Sequence, residues 1–204
     1  MTSGGSSMDT DPSPAEAYAG ALAELAPGER VLAAVVAKAP LGLGPPLPPD
    51  GDGGPVTAGS AAGAVAGAIL APPKPGQGFF WWLVFGRAAA GAATSTAAAC
   101  HAATLGVGGP LLLVVTDARL RLYEPLDQAH FVDEPKYHSR PATERLRPLW
   151  DVPRSEVRSP RVGRHRLHPA RLTVEFTDGS WASFAGLLTM GRRKAAAVVA
   201  ALSR

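Results

Sequence analysis

Six arginines, Arg154, Arg158, Arg161, Arg164, Arg166 and Arg171, fall within eighteen consecutive residues, with His165 and His168 among them and one acid, Glu156, against them. Guanidinium groups form bidentate, charge-assisted hydrogen bonds with phosphate oxygens, so this spacing points to an anionic lipid surface or to nucleic acid. Each Lys or Arg near an anionic membrane contributes about 1 kcal/mol, and four or five acting together give measurable binding. Nucleic acid ranks below lipid because no exposed aromatics interleave the arginines, and Phe176, Trp181 and Phe184 are expected in the core. The plain structural alternative is a solvated loop that keeps the domain in solution.

A second group, Phe79, Phe80, Trp81 and Trp82, opens a run of large apolar residues over 79–85, flanked by Lys74 and Arg87. Such a run is costly when exposed, so it belongs to a core, to an interface between copies, or to a membrane anchor, where Trp81 and Trp82 would suit the bilayer interface. Core or self-association is the favoured expectation, since most such runs are buried.

The remaining reactive residues offer less chemistry. His165 and His168 have no carboxylate or thiolate placed beside them, and His130 and His138, near Asp133 and Glu134, are equally uncommitted. Adjacency of Cys100 and His101 does not set thiol against imidazole, and their Ala-rich setting implies an inert buried thiol. Gly106, Gly108 and Gly109 lack the helix and lysine that phosphate loops need. No nucleophile, base and oriented partner can be assembled, so the expectation is a protein without catalytic residues, metal or cofactor. A single cysteine excludes an internal disulfide and fits a reducing compartment; the first residues show neither a basic nor an apolar signal region, so a cytoplasmic location is expected.

These groups must be held by elements the rest of the chain specifies. The 204 residues suffice for one domain with additions, and 23 Gly and 20 Pro favour irregular segments. Net charge is uneven: residues 1–110 carry 4 Lys/Arg against 7 Asp/Glu, and residues 111–204 carry 16 against 10, so an anionic partner is expected on the second half. Residues 1–12 read as a disordered tail. Ser13, Pro14 and Glu16 spell a capping box at the start of a helix over 13–26, ended by Pro27 and Gly28. Residues 29–38 read as a strand and 40–55 as a linker.

From 79 to 105 the only formal charge is Arg87, a length that as one helix of roughly 27 residues would exceed a bilayer span. Its small second half and Arg87 argue against a span and for a helix packed closely on the domain or on another copy. Beyond it, residues 111–123 read as a hairpin, 124–148 as a long polar excursion, 149–152 and 156–158 as short strands. Residues 172–184 read as a hairpin turning at Asp178-Gly179. Thr189 is placed to cap a final helix whose Ala195, Val198, Val199 and Leu202 form a buried stripe.

The strand after Pro27-Gly28-Glu29-Arg30, the hairpin containing Val115-Thr116-Asp117-Ala118-Arg119-Leu120, the Trp150 strand, the arginine pair of strands and the hairpin around Phe176-Thr177-Asp178-Gly179-Ser180 recur in one order. That order resembles the bacterial pleckstrin-homology-like proteins and their GRAM-like relatives, over residues 29–38 and 111–204. The resemblance implies an α+β, mainly β fold. It would be a bent seven-stranded sheet, a split barrel, capped by a C-terminal helix, with residues 39–110 as a long Ala/Gly-rich helical insertion after the first strand. It also implies a non-enzymatic binding or scaffold module contacting an anionic membrane surface or a protein partner, peripheral at the inner membrane face. The basic residues that hold headgroups in lipid-binding members lie around the first inter-strand connection, where this chain offers only Lys38 and Lys74. A second expectation is a structural protein that assembles into homo-oligomers through the insertion.

Overall fold

The computed structural model describes residues 13–38, 88–105, 107–129, 135–165, 168–186 and 191–204. In chain order these form helices α1 (Pro14–Ala17) and α2 (Ala19–Leu25), strand β1 (Val31–Lys38), the two-residue strand β2 (Ala89–Ala90), helix α3 (Thr96–Thr104), and strands β3 (Leu111–Thr116) and β4 (Arg119–Pro125). Two short helices, α4 (Pro135–His138) and α5 (Ala142–Arg145), lead to strand β5 (Leu146–Pro153). A 3-10 turn (Arg154–Glu156) leads to strands β6 (Val157–His165), β7 (His168–Phe176) and β8 (Trp181–Gly186), and helix α6 (Gly191–Leu202) ends the chain. The strands make one antiparallel sheet in the order β5-β4-β3-β1-β8-β7-β6, with β2 paired to β8 off this path.

The sheet bends because its two edges are adjacent in sequence. Strands β5 and β6 stand at opposite ends of the order, yet one 3-10 turn of three residues joins them. Three residues of 3-10 helix advance only about 6 Å, so the edges meet at this corner. Arg154 N–H donates to Ala118 O at 2.8 Å and Thr177 N–H to Glu156 O at 2.9 Å, tying the corner to both neighbouring hairpins. Across it Trp150 meets Phe176 edge-to-face with centroids 5.9 Å apart. No ladder joins β5 to β6 among the described residues, so the sheet is not closed.

Alternation fills the inside. Leu113, Val115, Leu120, Leu122, Val152, Leu172, Val174, Phe176 and Phe184 form one core with Ala97 and Cys100 of α3 and Val198, Ala201 and Leu202 of α6. Of the stripe Ala195, Val198, Val199 and Leu202 expected for the last helix, Ala195, Val198 and Leu202 are buried and Val199 is half-buried. A second core lies on the other side of β1, β3 and β4, where Tyr18, Leu22, Val36, Leu112, Val114, Tyr123, Tyr137 and Leu146 pack together. Strand β3 is buried on both faces, which is why its sequence, Leu-Leu-Leu-Val-Val-Thr, is an unbroken apolar run rather than an alternation.

Several local expectations change. The capping box at Ser13 forms, but the N-terminal helix is two short pieces broken at Tyr18, whose φ of −110° and ψ of 11° leave the helical region. The single helix expected over 79–105 is not formed in its described part: Ala89–Ala90 is a strand and α3 starts at Thr96, capped by Ser95. The polar excursion is shorter, because β4 reaches Pro125 and β5 begins at Leu146. The Asp178-Gly179 hairpin has three loop residues, not two: Gly179 N–H donates to Phe176 O, Phe176 N–H to Ser180 O, and Gly179 takes φ 78°. Thr189 lies outside the described residues, and α6 starts at Gly191.

Candidate functional site

The described part of the arginine strip is mostly strand, not loop. Arg158, Arg161 and Arg164 all stand exposed on β6, which pairs only with β7 among the described strands and is therefore an edge. Arg154 is half-buried in the corner turn. Arg166 lies outside the described residues, as do Phe79, Phe80, Trp81, Trp82 and Lys74. Arg171 is on β7, half-buried, with its guanidinium carbon 5.5 Å from the centroid of the Trp181 ring. Trp181 is thus not a core residue as expected: it alternates with the buried Ala182 and lies on the opposite face from Phe176 and Phe184. Stacking on an indole holds a guanidinium in place.

The second sheet edge carries a different charge pattern. On β5, Asp151 pairs with Arg119 and Arg147 with Glu124, so both signs are present and each has a partner on β4. Arg121 of β4 is clamped by Glu29, with Nη2–Oε1 at 2.5 Å and Nε–Oε2 at 3.1 Å, while the Thr116 hydroxyl donates to the same carboxylate at 2.7 Å. The Arg121 guanidinium holds the Glu29 carboxyl below its ordinary range despite partial burial. On β6 the charges are all positive, and the ion pair of Arg158 with Glu175 is a loose contact of 3.9 Å between exposed side chains. Charged residues and prolines on an edge strand deter pairing with foreign sheets, and Pro160 serves that end on β6 as Pro148 does on β5. Deterrence works with either sign; a single sign selects anions.

Cys100 and His101 do share a small cavity, with Ala88, Thr104, Ala182, Ser183 and Phe184, but it measures only about 10 Å³, room for a single water. Burial pushes the Cys100 thiol up to about 12 and lowers the His101 imidazole. A thiol so held stays protonated and non-nucleophilic at neutral pH. His165 and His168 oppose one another in the β6–β7 ladder. Among the described residues no three His, Cys, Asp or Glu side chains gather as metal ligands, and no helix is long and apolar enough to cross a membrane.

The Asp178-Gly179-Ser180 turn has a structural task. Asp178 Oδ2 accepts from Thr96 N–H at 2.8 Å and Ser180 Oγ from Ala97 N–H at 3.1 Å, so the β7–β8 hairpin caps the N-terminus of α3 together with Ser95. Gly91 is required beside it, since a Cβ there would lie 2.5 Å from Ser180 Cβ. Residues 88–105 are therefore built into the folded body.

One arginine that the sequence reading passed over is the most buried of those described. Arg145 donates from Nε to Asp127 Oδ2 and from Nη2 to Ala17 O, both at 2.9 Å, and lies over the Tyr18 ring. Tyr18 OH donates to Asp127 Oδ1 at 2.8 Å. This network locks α1 and α2 to the segment before β5.

No protein-family model matches the chain, and neither the curated proteins nor the solved structures give a match. The arrangement on β6 and β7 must be read from its own geometry.

Proposed function

We propose that the chain is a non-enzymatic binding module of pleckstrin-homology-like fold that contacts an anionic membrane surface, peripherally, through the arginines of β6. The observation that carries this reading is the set of exposed Arg158, Arg161 and Arg164 on one edge strand, of one sign where the opposite edge carries both. Support for the fold comes from the bent antiparallel sheet, in which the first strand lies between the second long strand, β3, and the last, β8, with the C-terminal helix packed into its core. The protonated, enclosed Cys100 fits a protein that binds rather than reacts.

Co-sedimentation with neutral and with phosphatidylserine-containing vesicles, at low and at moderate salt, tests it. Binding to the anionic vesicles alone, weakened by salt as each surface cation is screened, is the expected result. Absence of binding to anionic vesicles at low salt overturns it. A companion variant that separates the insertion must end at residue 87, because deletion to 109 would remove α3 and β2 from the core. Assembly through residues 79–82 concerns positions outside those described.

A further inference from the structure

We infer that residues 88–105 are a closure that lifts from the sheet while the rest of the domain stays folded, opening the interior at the seam between β1 and β8. This is independent of the anionic-surface reading. The seam exists because, among the described residues, β1 and β8 pair only through Ala37 with Gly186 and Lys38 with Ala185. Elsewhere on β8, Ala182 and Trp181 pair with Ala89 and Ala90 of β2 instead. Helix α3 follows and packs on β8 and on β5, two strands that β4, β3 and β1 separate in the sheet order. Residues 88–105 thus cover the place where β1 and β8 part.

What holds this cover differs from what holds the other helices. Helix α6 sets Val198 and Leu202 into the same core, and Tyr18 and Leu22 anchor α1 and α2 in the second one. The buried side chains of 88–105 are alanines with Ser95, Cys100 and Thr104, and its one large apolar side chain, Leu105, is 47% exposed. An alanine methyl removes far less apolar area from water than a leucine or tyrosine side chain, so docking gains little from burial. The segment has no Asp, Glu, Lys or Arg with which to form an ion pair. Its fit is also incomplete, since the cavity of about 10 Å³ lies between Cys100, His101 and Thr104 of the helix and Ala182, Ser183 and Phe184 of β8. With nine residues, α3 is too short to persist as a helix once it leaves the sheet.

The fastening is polar and comes from one hairpin. Asp178 and Ser180 of the β7–β8 turn accept from the N–H groups of Thr96 and Ala97, and Ser183 N–H donates to Ala88 O at 2.7 Å. On opening, such bonds are exchanged for bonds to water, so their net hold is modest. Few buried apolar contacts are the mark of segments that open locally, at lower cost than global unfolding. Opening takes the segment off Ala182 and Phe184 and uncovers Cys100.

Cys100 is the only cysteine and is 1% exposed, so its alkylation by iodoacetamide, followed by intact mass, reads the opening. The full chain is labelled in water and in urea below its unfolding midpoint, beside Ser180→Ala, Asp178→Ala and Tyr18→Phe. Labelling in water is expected at least about tenfold faster than the globally unfolded population allows. Its urea dependence is expected below about half of the global slope, because the slope follows the area exposed. Ser180→Ala removes a fastener and speeds labelling about fivefold, the usual loss of a helix cap, and Asp178→Ala acts in the same direction. Tyr18→Phe weakens the fold from the far side of the sheet and leaves the rate in water within about twofold. Near-ultraviolet circular dichroism confirms each variant's fold. Labelling that follows global unfolding, with the full urea slope and equal acceleration by Tyr18→Phe and Ser180→Ala, overturns the closure. So does a Cys100 that resists alkylation up to the unfolding transition.

Discussion

The outward face of the sheet has two regions, and they treat arginine in opposite ways. Over β1, β3 and β4 that face is covered by α1, α2 and α5, and the arginine at this junction, Arg145, is 2% exposed with a carboxylate, a carbonyl and an aromatic ring around it. On β6, Arg158 and Arg161 are exposed, and Arg158 makes a loose contact with Glu175. A buried guanidinium must have every donor answered, because desolvation of an uncompensated charge costs several kcal/mol. An exposed one carries no such demand. The same side chain is therefore structural on one face and available to a ligand on the other.

Removing a partner on the covered face is the strongest way to break this contrast. Asp127→Ala leaves Arg145 charged and buried, and is expected to lower unfolding stability by about 3–5 kcal/mol in urea titration. Arg161→Ala, on the open face, is expected to stay within about 0.5 kcal/mol. Similar losses in the two variants would erase the distinction between them. Tyr18→Phe sharpens the comparison: it keeps the ring under Arg145 but deletes the bond to Asp127 Oδ1, for an expected loss of about 1 kcal/mol. A loss as large as that of Asp127→Ala would mean the hydroxyl, not the ion pair, secures α1 and α2.

The two faces also differed in how far the sequence disclosed them. Strands β3, β4, β7 and β8 and the stripe of α6 could be read because apolar period and burial coincide there, as in Leu120 and Leu122 or Leu172 and Val174. The bent antiparallel sheet capped by a C-terminal helix was implied by the family resemblance that the order of these elements carries, not by their periodicity. The latch was not: Asp127, Arg145 and Tyr18 are each ordinary polar or aromatic residues in their local text, and meet only through contacts 18 and 109 positions apart in sequence. The arginine cluster was visible as composition, but Pro160 and Gly163 masked the strand that carries it. Sequence spacing does not give its geometry, since the register shift at Arg158 decides whether it shares a face with Arg161. Trp181 was assigned to the core by its size, although strand alternation with Ala182 places it outside.

The smallest expected effect lies at the turn that joins the open face to α3. Some burial pushes the Asp178 carboxyl up, but hydrogen bonds from the Ser180 hydroxyl and from the Thr96 and Ser180 N–H groups outweigh it and hold the group at about 2, against 3.8 for a free aspartate. A carboxyl whose folded value is depressed stabilises the fold above its unfolded value and loses that contribution as pH falls through the folded one. The window here runs from about pH 4 down to about pH 2. Because Asp178 is largely exposed, solvent screening keeps the contribution under about 1 kcal/mol, well below that of the buried pair. Asp178→Asn should therefore flatten the fall in urea midpoint between about pH 5 and about pH 2.5 by a small, measurable amount. An unchanged profile would mean that Ser95 and Ser180 cap α3 without the carboxylate.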